Sequence, residues 1–246
     1  MKKIKLIELV AAVAIMCCFV SCNNATKVKE ADAATASVTD TTPAPAPATP
    51  AAVAKPANTL LIWHKVANFD MWLAAYEAHD SARLANGLHN YIIGRDAGNP
   101  NLVLVALQID DVEKAKAFGA SQDLKAAMQK AGVTGTPAIS YLDVQMLDTT
   151  TNASTTRLMV SHKVKDWDAW KKAFDSHKQV RLDAGLIDRA VGYEIGNKNQ
   201  VTVVCAVIDA AKAKAFINSK EVKDRMAEAG VEGPPTIHFY TVAKKW

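Results

Sequence analysis

The chain has 246 residues, half of them hydrophobic by the AVILMFWYC count but only 7% aromatic, so alanine and aliphatic side chains supply most of the apolar surface. This composition excludes a disulfide scaffold, a collagen-like chain and a disordered chain. Of the formal net charge of +4, about +2 comes from Lys2, Lys3 and Lys5 against Glu8, so no polyanion-binding surface is indicated and no nucleic-acid partner is expected.

Residues 1–21 read as a secretory signal, with three lysines ahead of an apolar run from Leu9 to Val20. A run of about twelve residues is too short for a spanning helix, which needs ~20. Phe19-Val20-Ser21-Cys22 resembles the lipobox of bacterial lipoproteins, with Phe19 standing where leucine is usual. The resemblance implies lipidation at Cys22, membrane attachment through that lipid alone, and residence in the bacterial cell envelope, outer membrane included, facing the periplasm or exposed at the surface. An ordinary secretory signal cut elsewhere is the alternative. Cys17 and Cys18 would leave with the signal and Cys22 would be acylated, which leaves Cys205 as the free thiol and no intrachain disulfide. Cys205 lies in the apolar run Val201–Val207, and its counterpart in the repeat described below is Leu107, so a small buried hydrophobe is expected there rather than a nucleophile.

Residues 22–58 are an Ala/Thr/Pro-rich tether without aromatic residues or amphipathic period. At ~3.1 Å per residue, a fully extended polyproline-like tether would reach about 100 Å.

The remainder is one unit written twice. A shift of 98 positions aligns residues 60–144 with 158–242 without a gap, with about 34 identities in 85 positions. The copies occupy 59–148 and 157–246, joined by a polar linker over 149–156. Each reads alike. A strand over Leu60–Val66 (Leu158–Val164) leads to a helix capped by Asn68 (Asp166) and ended by Gly87 (Gly185). Two strands follow, near Asn90–Asp96 and Leu102–Ile109, around the turn Gly98-Asn99-Pro100-Asn101. A second helix over Val112–Ala131 is interrupted near Ser121 (Ser219), Gly135 and Pro137 (Gly233 and Pro235) form a loop, and Ala138–Met146 is the last strand. The order βαββαβ predicts an α+β, ferredoxin-like unit with both helices on one sheet face. Its other face needs cover, and the tandem copy supplies it.

His-Lys-Val at 64–66, Asp70-x-Trp72, His79, Arg83 and the Ala-Gly-Val-x-Gly-x-Pro stretch from Ala131 to Pro137 resemble the dimeric α/β-barrel superfamily, which includes antibiotic-biosynthesis-monooxygenase-like domains. The resemblance covers essentially all of 59–246. It implies that the two ferredoxin-like sheets pack face to face as a single-chain pseudo-dimeric barrel. The superfamily spans monooxygenases, isomerases, haem enzymes, ligand sensors and uncharacterised proteins, so fold does not select an activity. Haem-degrading relatives place a histidine on the second helix, and neither 112–131 nor 210–229 contains one.

Candidate ligand-binding residues come from positions matched between the copies: His64 with His162, Lys65 with Lys163, His79 with His177, and Arg83 with Arg181. His64 and Lys65 are adjacent on a strand and point to opposite faces; the more apolar face of Leu60, Ile62 and His64 suits the helix layer, which leaves Lys65 and Lys163 for the cavity. His79 and Arg83, i and i+4, reach either a barrel mouth holding an anion or a packed core edge. Trp63 and His238, which the other copy replaces with Ser161 and Ser140, would make the barrel ends unequal. No metal site is expected, for want of HxxxH, CxxC or a histidine cluster, and no cofactor, for want of a P-loop or dinucleotide fingerprint. No residue is assigned a catalytic role. The reading is a lipid-anchored envelope protein that binds a small molecule in the barrel cleft; the alternatives are a cofactor-independent monooxygenase- or isomerase-like enzyme and a non-catalytic structural or interaction protein.

Overall fold

The structure is a computed structural model that describes residues 56–246. The residues read from sequence as a secretory signal, Cys22 and all but the last residues read as a tether lie outside the described residues. The first copy comprises β1 (Asn58–Val66), α1 (Phe69–Ala78), α2 (Asp80–Ala85), β2 (Leu88–Asp96), β3 (Leu102–Ile109), α3 (Val112–Ala120), α4 (Gln122–Lys130) and β4 (Val133–Leu147). The second repeats it as β5 (Thr156–Val164), α5 (Trp167–Ser176), α6 (Lys178–Asp183), β6 (Leu186–Glu194), β7 (Asn197–Val207), α7 (Ala210–Asn218), α8 (Lys220–Glu228) and β8 (Val231–Lys245). Among the described residues no helix is long and apolar enough to cross a membrane.

Local chemistry starts the helices. The side chains of Asn68 and Asp166 accept the amides of Met71 and Ala169, and the hydroxyls of Ser121 and Ser219 accept those of Leu124 and Val222. The first helix does not run unbroken to the glycine. It breaks at His79 and His177, whose ψ angles of 14° and 16° leave the helical region. The break turns α2 so that Arg83 Nη1 reaches back to the Tyr76 carbonyl at 2.7 Å, and Arg181 Nη1 likewise to that of Phe174. The guanidinium thus adds a second donor to a helix-end carbonyl that already accepts the His79 or His177 amide.

The stretch read as a Gly-x-Pro loop lies inside β4 and β8. Register jumps from Trp63↔Ala138 to Lys65↔Thr134, so Gly135, Thr136 and Pro137 bulge opposite His64. Gly233, Pro234 and Pro235 do the same opposite His162. Gly135 and Gly233 take φ of +73° and +70°, the left-handed conformation that a bulge of this kind needs.

The strands close into an antiparallel barrel in the order β1-β3-β2-β8-β5-β7-β6-β4. Each copy contributes four consecutive strands, and β2·β8 and β4·β6 are the seams between copies. Strand alternation sends Leu61, Leu104, Leu142, Met159 and Tyr240 into the lumen. Leu60, Val66, Val103, Val105 and Leu107 face the helices of the first copy, and Leu158, Val164, Val201, Val203 and Cys205 those of the second.

Candidate functional site

Each copy encloses a pocket between its sheet and its helices. In the first, of about 100 Å³, Leu60, Ile62 and His64 from β1 meet Trp72 and Tyr76 from α1, with Phe118, Met128 and the bulge residue Pro137 closing the sides. In the second, of about 120 Å³, Leu158, Val160 and His162 meet Trp170, Phe174, Phe216 and Met226. The walls are mostly apolar; the polar groups on them are His64 and Arg83 with the phenols of Tyr76 and Tyr141 in the first, and His162, His177, Arg181 and Arg225 in the second.

His64 is 6% exposed and His162 5%. Neither ring nitrogen of either histidine has a hydrogen-bond partner among the described residues. Each ring lies against a tryptophan, His64 with Trp72 at 5.3 Å between centroids and His162 with Trp170 at 5.4 Å. Burial pushes both imidazoles down to about 4, so both are neutral at pH 7. A neutral imidazole offers one donor and one acceptor, and both are unmatched here.

Behind each imidazole, a buried arginine is neutralised by a different route in each copy. Arg83 stacks on the Tyr76 ring at 3.6 Å and donates to Asp80 from α2 and to the amide oxygen of Asn90 from β2, which also accepts the Tyr76 hydroxyl at 2.6 Å. In the second copy Phe174 replaces Tyr76, Lys178 replaces Asp80 and Asp188 replaces Asn90. Arg181 there makes a bidentate pair with Asp188 at 2.8 and 2.7 Å. The carboxylate has moved from helix to strand while the charge balance is kept. Cys205, whose Sγ lies 3.6 Å from Asp188, is buried, and burial and that carboxylate push its thiol up, so it is inert as a nucleophile.

The remaining candidates fall elsewhere. Lys65 and Lys163 share the lumen's parity, but they stand at strand ends and are exposed; Lys163 pairs with Glu232 at 3.0 Å. The residues read as polar contacts of one cleft therefore part company: the imidazoles line the helix-side pockets and the ammonium groups are in solvent. His79 packs on Phe118 at the α1–α2 junction, and His177 lies at the edge of the second pocket. Trp63 and His238 come together in the lumen, stacked at 4.3 Å, with His238 Nδ1 3.3 Å from Asp96. Among the described residues no group of three or more His, Cys, Asp and Glu could hold a metal ion. Sequence reasoning missed Asn90, Asp188, and Tyr91, Arg157 and Arg189 of a lumen group that they form with Tyr240, whose replacement of Leu142 is legible in the sequence. Their signal was disagreement between the copies at lumen-facing or arginine-facing positions.

No protein-family model matches the chain, and no curated protein matches it. Solved structures do. An anthrone oxidase-like protein is 13% identical with a TM-score of 0.52, over 77% of this chain and 92% of that one. A candidate monooxygenase from Fusobacterium nucleatum is 15% identical with a TM-score of 0.52, over 76% and 93%. The fold is the dimeric α/β barrel. A candidate monooxygenase from Lactobacillus acidophilus, 12% identical with a TM-score of 0.50 over 77% and 95%, agrees. In this dimeric α/β barrel both halves come from one chain, which frees each half to change alone.

Proposed function

We propose that the protein binds a small, largely apolar molecule bearing a hydrogen-bonding group, held in the helix–sheet pocket of each half by His64 and His162. The observation that carries the reading is the pair of buried imidazoles without partners. An unsatisfied buried polar group costs about 1–3 kcal/mol, and a leucine or phenylalanine would fill the same space without that cost. Both copies nevertheless keep histidine, in mostly apolar pockets of about 100 and 120 Å³ that leave room for a molecule of a few carbons. Titration with 1-butanol, a four-carbon chain with one hydroxyl that matches pockets of about 100 and 120 Å³, tests it. Binding should be lost in a His64→Phe, His162→Phe double variant that remains folded; undiminished binding in that variant would overturn the proposal.

The second reading is a cofactor-independent oxygenase or isomerase at the same pockets, favoured by the names of the structural neighbours. An imidazole held near 4 is a weak base at pH 7 before a substrate enters. Oxygen uptake with a small phenol or enol, abolished in the double variant, would make the protein an enzyme.

Attachment to the envelope through a lipid on Cys22 belongs to the same proposal, supported by the sequence Phe19-Val20-Ser21-Cys22. Cys22→Ala should leave a folded protein in the soluble fraction, and its retention in membranes would refute the anchor.

A further inference from the structure

Many positions that agree between the copies face the helices, among them His64 and His162, Trp72 and Trp170, whereas several that disagree gather at one end of the lumen. This is the end where β1 and β5 begin and β4 and β8 finish. Equivalent strands stand four places apart in a ring of eight, so equivalent residues face each other across the barrel. Thr59 looks toward Arg157, Tyr91 toward Arg189 and Leu142 toward Tyr240, all lining one cavity of about 100 Å³.

Every arginine here comes from the second copy. Arg189 is already neutralised, its Nη1 lying 2.9 Å from Asp148. Arg157 is not. Its Nη1 donates to the carbonyls of Ser154 at 2.7 Å and Thr156 at 3.0 Å, and no carboxylate pairs with it among the described residues. Its ionisable neighbours are Tyr240, Arg189 and Tyr91. Burial raises both phenols, so they remain hydroxyl donors at pH 7. A half-buried guanidinium without a counter-ion, two phenols and walls of Leu61, Met159 and Val204 make a site that accepts negative charge at its mouth and hydrocarbon below.

We infer that this end of the lumen is a second binding site, distinct from the helix–sheet pockets, for a compact aliphatic monocarboxylate whose carboxylate pairs with Arg157 beside the phenols of Tyr91 and Tyr240. Among the described residues Arg157 is the half-buried unpaired cation of the cavity, Arg189 being paired with Asp148 and Lys245 exposed at the rim, so the interior is matched to a single carboxylate. The cavity is smaller than the ~150 Å³ that accommodates benzene, which suits a chain of about four carbons.

Titration of carboxyl-labelled butyrate into the full chain, followed by carbon-13 NMR, tests the site. Butyrate should bind with a dissociation constant of about 1 mM or tighter, and its uncharged isostere butyramide at least tenfold more weakly. Arg157→Gln should weaken butyrate at least tenfold, and Tyr240→Phe severalfold should the arginine variant not fold. The His64→Phe, His162→Phe double variant should bind butyrate as the parent does, which separates failure of this site from failure of the pocket reading. Equal binding of butyrate and butyramide, unchanged affinity in a folded Arg157→Gln, displacement by inorganic phosphate at equal concentration, or loss of butyrate in the histidine variant would each overturn the inference.

Discussion

Two buried imidazoles at about 4 make a stability statement with a definite sign. In the unfolded chain a histidine titrates near 6.5, so between about pH 6.5 and 4 the unfolded state holds more protons than the folded one. Their contribution is therefore complete above pH 6.5 and is lost as pH falls toward 4, by on the order of 3 kcal/mol for each histidine. Urea midpoints measured across that range should fall steeply for the parent and much less for His64→Phe, His162→Phe. The variant should also be the more stable at pH 7, because unsatisfied nitrogens have gone; an equally acid-sensitive variant would sink the account. The arginines behind the histidines give a second residue-scale test. Asp188→Asn strips the counter-ion from Arg181, which is 8% exposed, and should destabilise by about 3–5 kcal/mol. Adding Lys178→Asp recreates the first copy's arrangement, in which Asp80 and Asn90 share Arg83, and should return most of the loss. Denaturant unfolding of both single variants and the double closes the cycle, and no recovery would show that the exchange of carboxylates is not compensatory.

The elements show which parts of the fold were legible and why. Helix starts were, because Asn68, Asp166 and Ser121 act on amides three residues away. The breaks at His79 and His177 were not, since they serve an arginine that reaches the preceding helix only once the turn is made. Gly135 and Pro137 read as a loop because turn residues look the same in a loop and in a bulge; pairing with β1 decides between them. His64 and His162 were found by agreement between the copies, a filter that discards Arg157 and Arg189 by construction. At the seams the glycines carry information of another kind. A Cβ on Gly192 in β6 would come 2.6 Å from the Asp143 carbonyl oxygen in β4, a backbone atom that cannot swing away. At the other seam Gly94 makes room for the ring of Tyr240. Gly192→Ala should destabilise by about 1–3 kcal/mol through overpacking. Gly98→Ala, whose added carbon would meet only the Asp96 side chain at 3.4 Å, should change little. Equal urea midpoints for the two variants would mean that the β4·β6 seam yields more readily than its geometry implies.

Across the whole molecule the seams are copies of one another. Ile92↔Lys245 through Asp96↔Tyr240 in β2·β8 corresponds, position for position, to Ala190↔Leu147 through Glu194↔Leu142 in β6·β4. A single half therefore carries both complementary edges, β2 and β4 or β6 and β8, and can close a barrel with a second copy of itself. Left alone it would expose a sheet face bearing Leu61, Leu104 and Leu142. Residues 59–148 should accordingly form a dimer, in which the uncharged Thr59, Tyr91 and Leu142 face their own copies across the lumen and the Asp148 carboxylates, without Arg189, lie at the fragments' C-terminal ends. Residues 157–246 meet a different situation. Closing that half on itself sets Arg157 against Arg157 and Arg189 against Arg189 at one mouth, and Asp148, which neutralises Arg189 in the intact chain, belongs to the other half. Like charges held in a confined lumen repel more strongly than in bulk water, so the second half should dimerise more weakly than the first, more tightly as salt is raised, and more tightly again with Arg157→Thr, which restores the first copy's residue. Sedimentation velocity on the two fragments at matched concentration measures all of this. A stable monomer of 59–148 would remove the case for mutual cover of the sheets, and equal association of the two halves would show that the arginines do not meet across the lumen.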